Sequence, residues 1–300
     1  MGKQQLLVLI RGDGRPAVGA RERGQTLVAA AIVLVALVGA TALVVDVGNA
    51  YAQRRHLQNA ADAAAMAAAR ELAMEQPGNV DATVREYALE RNGAQHVVYS
   101  VDGSSVTVVV SSTFPTYFAA VVGVPTLSAS ARAEAGYGYP KAWVGDLVPI
   151  AVHKDAVVPD RQVEIWDDEK TASNVPLGVV ADGQRGWLNF NGGAVGDSEI
   201  RNWVINGWHG RVEAGMWING TPGTKTAALQ DVQGVRLHTI VYVPIYDDVR
   251  PGQNGSAFYV TQVVDTGNPK FVKGQFLRHI DPQEIGGTFD SGVRVVVLQR

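Results

Sequence analysis

Six histidines, His56, His96, His153, His209, His238 and His279, are the side chains of this chain best suited to proton transfer or metal ligation. They are scattered, with no HExxH motif and no paired His spacing. His153-Lys154-Asp155 sets a carboxylate two residues from an imidazole, which in a strand would share a face. Set against a metal site built from that pair alone, a solvated loop is the expectation. Asp167-Asp168-Glu169 and Asp247-Asp248 lack the alternating oxygen ligands of a calcium loop and read as surface turns. Asp290-Ser291-Gly292 has the look of a serine-nucleophile turn, yet a nucleophilic serine needs a base and an oxyanion hole, and the sequence nominates neither. GxSxG and Walker A patterns are absent, and Asn191-Gly192-Gly193 and Gly286-Gly287 read as turns; Asn219-Gly220-Thr221 and Asn254-Gly255-Ser256 fit glycosylation sequons but read more simply as Asn-Gly turns. The chain holds no cysteine, which removes disulfides, thiolate metal sites, a cysteine nucleophile and a lipidated cysteine. No catalytic residue, cofactor or metal is expected.

Composition bears more on partners than on chemistry. The 26 Lys+Arg against 29 Asp+Glu leave a net charge of −3, which argues against nucleic-acid binding by phosphate neutralisation. A chain that is 46% apolar and 18% charged is too hydrophobic to be disordered throughout. The strongest element lies near the N-terminus. Gly24 to Val45 carries no charge over 22 residues. Its Leu27–Val45 portion would form about 28 Å of helix, close to the roughly 30 Å hydrocarbon core of a bilayer. The eleven Leu, Ile and Val residues there favour insertion by roughly 3–6 kcal/mol. Lys3, Arg11, Arg15, Arg21 and Arg23 outnumber Asp13 and Glu22 before the span, whereas the first cations after it are Arg54 and Arg55. The positive-inside rule therefore places residues 1–23 in the cytoplasm and 46–300 outside. Ala40-Thr41-Ala42 and Ala50-Tyr51-Ala52 fit the small-residue rule for signal cleavage. The apolar run continues past the first and the second lies beyond Asp46, so a retained anchor is expected.

Beyond the span no proline occurs until Pro77, and alanine, the best helix former, dominates. One rod of about 50 residues, roughly 75 Å long, is expected through Gln76. Along it Ala50, Leu57, Ala61, Ala64, Ala68 and Leu72 form an apolar stripe on one face. The stripe suits close approach of a partner helix, and equally suits packing on the protein's own head.

Arg23-Gly24-Gln25-x-Leu27-Val28 precedes the span. Asp46-Val47-Gly48-Asn49-x-Tyr51-x-x-Arg54-Arg55-x-Leu57-Gln58-Asn59-Ala60-Ala61-Asp62-Ala63-Ala64-Ala65 follows it. This pattern closely resembles the TadE/TadG-like proteins of Flp (tight adherence) pilus assembly, strongly over residues 20–75 and more loosely to about 136. The resemblance implies a bitopic protein of the bacterial inner membrane whose partners are the membrane and other Tad/Flp assembly proteins. Arg21, Arg23, Gly24, Gln25, Asp46, Gly48, Tyr51, Arg54, Arg55, Leu57, Gln58, Asn59 and Asp62 carry topology and family motif. Pseudopilin members have Glu five residues after the Gly, where this chain has Ala29, so it looks more like the larger, anchored TadG-type members.

The remainder reads as a head. Residues 79–92 suit an amphipathic helix, and 95–101 with 105–112 suit a hairpin around Asp102-Gly103. A short helix is expected over Phe114–Gly123, a third strand over 125–135, and a boundary at Gly136–Pro140. After it, strands are expected near 146–153, 162–166, 186–190, 235–245, 257–265, 270–277 and 292–298, with helices near 198–208 and 224–232. All six tryptophans (Trp143, Trp166, Trp187, Trp203, Trp208 and Trp217) lie in this part, and their expected role is a core rather than a sugar platform.

The expected protein is thus a bitopic membrane protein. A long N-terminal transmembrane and stalk α-helix leads to a small α+β module and a β-rich C-terminal domain. The divisions are a basic tail (1–23), a span (24–45), an Ala-rich stalk (46–76), the module (77–138) and the C-terminal domain (139–300). A non-catalytic pilus-assembly component follows, against two other classes: a membrane-tethered envelope hydrolase and a glycan-binding adhesin.

Overall fold

In the computed structural model of the protein, residues 22–160, 162–166, 184–223, 225–246, 255–264 and 271–299 are described. Arg21, the Asp167 and Asp247 acidic clusters and Asn254 lie outside them. Glu22–Ala73 forms a single 52-residue helix, α1. Among the described residues it is the one helix long and apolar enough to cross a membrane. From Thr26 to Val45 its described side chains are exposed on every side, an apolar surface with no protein cover.

The chain divides into two compact units. The first comprises residues up to Gln53 with Thr113–Ser128, and the second Arg54–Ser112 with Ala129–Arg300.

In the first unit, the end of strand β2 (Ser105–Pro115) leads into a 3-10 turn over Ala119–Val122. Gly123 closes that turn with φ +90°, a conformation that glycine adopts without a steric penalty. Strand β3 (Thr126–Val144) then begins. The helix expected over Phe114–Gly123 is thus reduced to four residues, because aromatic and β-branched side chains favour the strand that runs through Pro115.

In the second unit, α1 is followed by a short helix α2 (Val80–Arg85), extended by a π-turn over Glu86–Glu90. Strand β1 (His96–Asp102) pairs antiparallel with β2 through a two-residue turn, Asp102 facing Ser105 and Gly103 at φ +56°. The Asp-Gly hairpin expectation is met. β3 continues the sheet and is its longest member. Beyond β2 it pairs with the C-terminal strand Val293–Gln299, with Glu284–Gly287 and with Arg211–Glu213.

Gly136–Pro140, expected as a boundary, therefore lies inside a strand. Its glycines serve packing and not a turn. A Cβ on Gly136 would lie 2.5 Å from the Gln299 amide nitrogen, and one on Gly138 2.7 Å from Ile285. The Gly286-Gly287 and Asn219-Gly220-Thr221 turns likewise prove to be strand, in Glu284–Gly287 and Asn219–Pro222.

A five-stranded sheet joins Val152–His153, Ile240–Tyr246, Gly255–Val264, Phe271–Phe276 and Gln162–Trp166 in that order. A two-stranded sheet pairs Gln184–Asn189 with Asn219–Pro222. Helices α3 (Asp197–Asn206) and α4 (Thr226–Asp231) contribute Ile200, Trp203, Val204 and Leu229 to a core with Trp187, Val241, Ile245 and Phe276. Trp143, Trp187 and Trp203 are buried, Trp208 is half-buried, and Trp217 is exposed, so the described tryptophans fill cores for the most part.

Candidate functional site

Asp46 is the first charged residue after the apolar run, and a helix position so close to its end is where a carboxylate would be expected to face water. It is only 5% exposed. Its side chain accepts three backbone hydrogen bonds, from the N–H groups of Tyr117 (2.7 Å), Phe118 (3.1 Å) and Ala119 (2.6 Å), all within the first unit. Those donors open the 3-10 turn Ala119–Val122 and have no partner inside it, so the carboxylate caps the turn from another part of the chain. Desolvation pushes the Asp46 carboxyl up, but the Tyr117, Ala119 and Phe118 donors together outweigh it and hold the group below the usual carboxylate range. The arrangement fixes a loop 71 to 73 positions away in sequence against the end of the apolar helix. It is a positional latch, with the carboxylate committed to three backbone donors.

The stalk's contribution is packing. Leu57, Ala61, Ala64 and Ala68 are buried together with Ala60, Ala65 and Ala69. They form one core with Val106, Val108 and Val110 of β2, Ala131, Ala133 and Ala135 of β3, and Val80, Val84 and Ala88. Leu72 packs at its margin, while Ala50 is half-buried in the first unit. The stripe expected to suit a partner helix is therefore occupied over Leu57–Ala68 by the chain's own sheet. Small side chains on both surfaces let helix and sheet approach closely. Gln58 adds a polar tie, donating to Asp62 Oδ1 (2.8 Å) and to the Arg132 carbonyl (3.1 Å). Gly48, Tyr51, Arg54, Arg55 and Asn59 are exposed, as is Gln58, whereas Asp62 is half-buried. Arg23, Gly24 and Gln25 lie in the first turns of α1.

Residues 24–71 match the family model of putative Flp pilus-assembly TadE/G-like proteins. No curated protein and no solved structure matches the chain. The TadE/G-like segment coincides almost end to end with α1 and holds both structural features just described, the Asp46 latch and the alanine face. Within it, the Leu57-Gln58-Asn59-Ala60-Ala61-Asp62 run contributes to folding: two alanines and the leucine are core, and Gln58 ties the helix to β3.

At the far end of the TadE/G-like helix a buried arginine completes the second unit. Arg294, 4% exposed, donates to the Ala73 carbonyl (2.7 Å), Glu75 Oε1 (2.8 Å) and Asp290 Oδ2 (2.8 Å), and lies over the Tyr137 ring. A cation bonded to the last carbonyls of a helix complements its dipole. Arg278 pairs with the other oxygen of Glu75 at 2.6 Å, and Glu75 sits at φ +57°, ending α1 without a glycine. Sequence reasoning missed this hub, because its members come from residues 75, 278, 290 and 294 with no shared motif.

The residues singled out for chemistry are not gathered into one site. Asp290 accepts from Gly292 N–H (3.0 Å) and pairs with Arg294, and Ser291 beside it is fully buried. The strand holding His153 stops there, and Lys154–Ala156 turns, with Asp155 N–H donating to His153 Nδ1 at 3.3 Å. His153 and Asp155 thus meet through a turn and not on a shared strand face. His209 is exposed, with Nδ1 3.2 Å from the Gly207 carbonyl. Among the described residues no group of three His, Asp or Glu is placed to hold a metal ion. One polar cluster escaped the sequence: the Tyr242 hydroxyl donates to Asp281 Oδ2 (3.1 Å) and lies 3.1 Å from His279 Nε2. Burial first, then the Asp281 charge, pushes the Tyr242 phenol well above its ordinary value, which keeps its proton in place as a hydrogen-bond donor.

Proposed function

We propose that this protein is a non-catalytic, membrane-anchored component of Flp/Tad-type pilus assembly. One observation carries the reading: the match over residues 24–71 falls on a single helix whose Thr26–Val45 surface is apolar and bare of protein. In this reading Gly24–Val45 spans the bacterial inner membrane. The basic residues before it, Arg21 and Arg23 nearest, hold the N-terminus in the cytoplasm, and residues 46–300 are extracytoplasmic.

Because Leu57–Ala68 is committed to the chain's own sheet, contacts with other assembly proteins fall to exposed motif residues such as Tyr51 and Arg55. The test is photo-crosslinking in cells from those two positions, with the trapped neighbours identified by mass spectrometry. Capture of Flp/Tad assembly proteins is the expected result. Crosslinks confined to envelope polymers or their enzymes would contradict it.

A further inference from the structure

The loop held by Asp46 has an unusual surface. From Gly103 to Ala131 the chain carries no charged residue. Tyr117, Phe118, Val121 and Val124 are all exposed, Val121 at 86%. Its backbone, in contrast, is largely satisfied from within. Asp46 takes the N–H groups of residues 117–119. Val121 and Gly123 donate to the Phe118 and Ala120 carbonyls, and Val124 donates to that of Ala119. The Thr116 N–H reaches Pro125 O, and its hydroxyl reaches Val124 O. A loop that faces water needs no such internal satisfaction, and a loop that enters lipid does. The same carboxylate fixes the loop to the first residue beyond the uncharged run, so it stands at the depth where that run leaves the bilayer.

We propose that Tyr117–Val124 is a second membrane contact: a wedge seated in the interfacial layer of the bilayer where α1 emerges, with the side chains of Tyr117, Phe118, Val121 and Val124 among the upper acyl chains. The proposal rests on the reading of Gly24–Val45 as a span. Aromatic residues favour this depth, and shallow apolar insertion of about 5–10 Å is the usual mode of interfacial elements. The wedge makes the exit of α1 a two-point attachment, which restricts rotation of the helix about its own axis.

The cysteine-free chain allows a direct test. Full-length protein carrying Val38→Cys, Val121→Cys, Val124→Cys or Asp102→Cys is labelled with an environment-sensitive fluorophore. It is then reconstituted into phosphatidylethanolamine and phosphatidylglycerol vesicles containing lipids with nitroxides at shallow or deep acyl positions. Labels at 121 and 124 are expected to emit to the blue of the label at 102, and to be quenched more by shallow than by deep nitroxides. The label at 38 should show the opposite depth preference. Water-like emission at both 121 and 124 while position 38 is quenched would overturn the wedge and leave the span intact. Blue emission at 121 without quenching by either lipid would also overturn it, since a second copy of the protein would then cover the loop. A water-like label at 38 would remove the span and the wedge together.

Discussion

Asp46 shows how a motif residue can hold a distant stretch of chain in place. Its carboxylate is kept out of water and compensated by three backbone donors, so the ionised form is the one the fold requires. A carboxyl whose folded value lies below its unfolded one contributes stability that is fully present above the unfolded value, about 3.9 for Asp, and is lost as pH falls through the folded value. Hydrogen exchange read by mass spectrometry should therefore show residues 117–119 protected at neutral pH and opening locally under acid. Asp46→Asn, which presents amide hydrogens to donors, should open the same segment at neutral pH while Val106–Val110 stays protected. Equal protection in the variant and the parent would show that the latch does not hold the loop. The sequence made Asp46 visible as part of a motif, but not its role, because the groups it binds lie some seventy positions away. Ser291 and His153 mark the opposite case. Each carries a local pattern for which the sequence nominates no partners, and the structure buries Ser291 and ends a strand at His153 where the chain turns.

At the scale of elements, the stalk helix and the sheet of the second unit share one core built from small residues. Leu57→Ala removes a fully buried side chain and should destabilise the protein by about 2–5 kcal/mol. Ala64→Leu forces extra volume against the sheet and should cost about 1–3 kcal/mol. Thermal unfolding followed by near-ultraviolet circular dichroism in detergent micelles reads both, and a seam open to solvent would leave the Ala64→Leu transition where it was.

Much of this was legible beforehand. The long apolar helix, its proline-free continuation (which stops at Ala73, before the expected Gln76), the Asp-Gly hairpin and the seam through Leu57, Ala61, Ala64 and Ala68 follow from local propensity and period. What covers the seam was not legible, since alanine on a helix suits another helix or a sheet equally. Nor was its width, because runs such as Ala63–Ala69 give no periodic contrast from which Ala60, Ala65 and Ala69 could be told apart as core. Gly136 and Gly138 misled for a related reason. Glycine marks a turn or a close approach, and only the neighbouring strands at Gln299 and Ile285 distinguish them.

For the whole molecule, the TadE/G-like segment links two tasks along one helix. Its apolar part from Thr26 to Val45 presents described side chains that are exposed on every side. Its alanine-rich part from Arg54 is core to a unit that is closed by the last strand of the chain, where Arg294 caps the helix. Beyond the matched residues the longer elements of that unit were legible too: the strands expected near 162–166, 270–277 and 292–298 are Gln162–Trp166, Phe271–Phe276 and Val293–Gln299, and the helix expected near 198–208 is Asp197–Asn206. Short strands such as Arg211–Glu213 and His279–Ile280 carry too few residues for a period to show, and they exist because β3 and the C-terminal strand offer them edges.

Retention of the apolar helix in the membrane, with the large C-terminal part outside, is the proposed arrangement on which the pilus-assembly role depends. Alkaline carbonate extraction combined with protease treatment of intact spheroplasts, following tags at both ends of the full-length protein, tests this most directly. The expected result is an uncleaved chain that stays in the membrane pellet, its C-terminal tag lost to external protease and its N-terminal tag protected. A carbonate-soluble chain shortened at Ala42 or Ala52, or a C-terminal tag protected in intact spheroplasts, would contradict it.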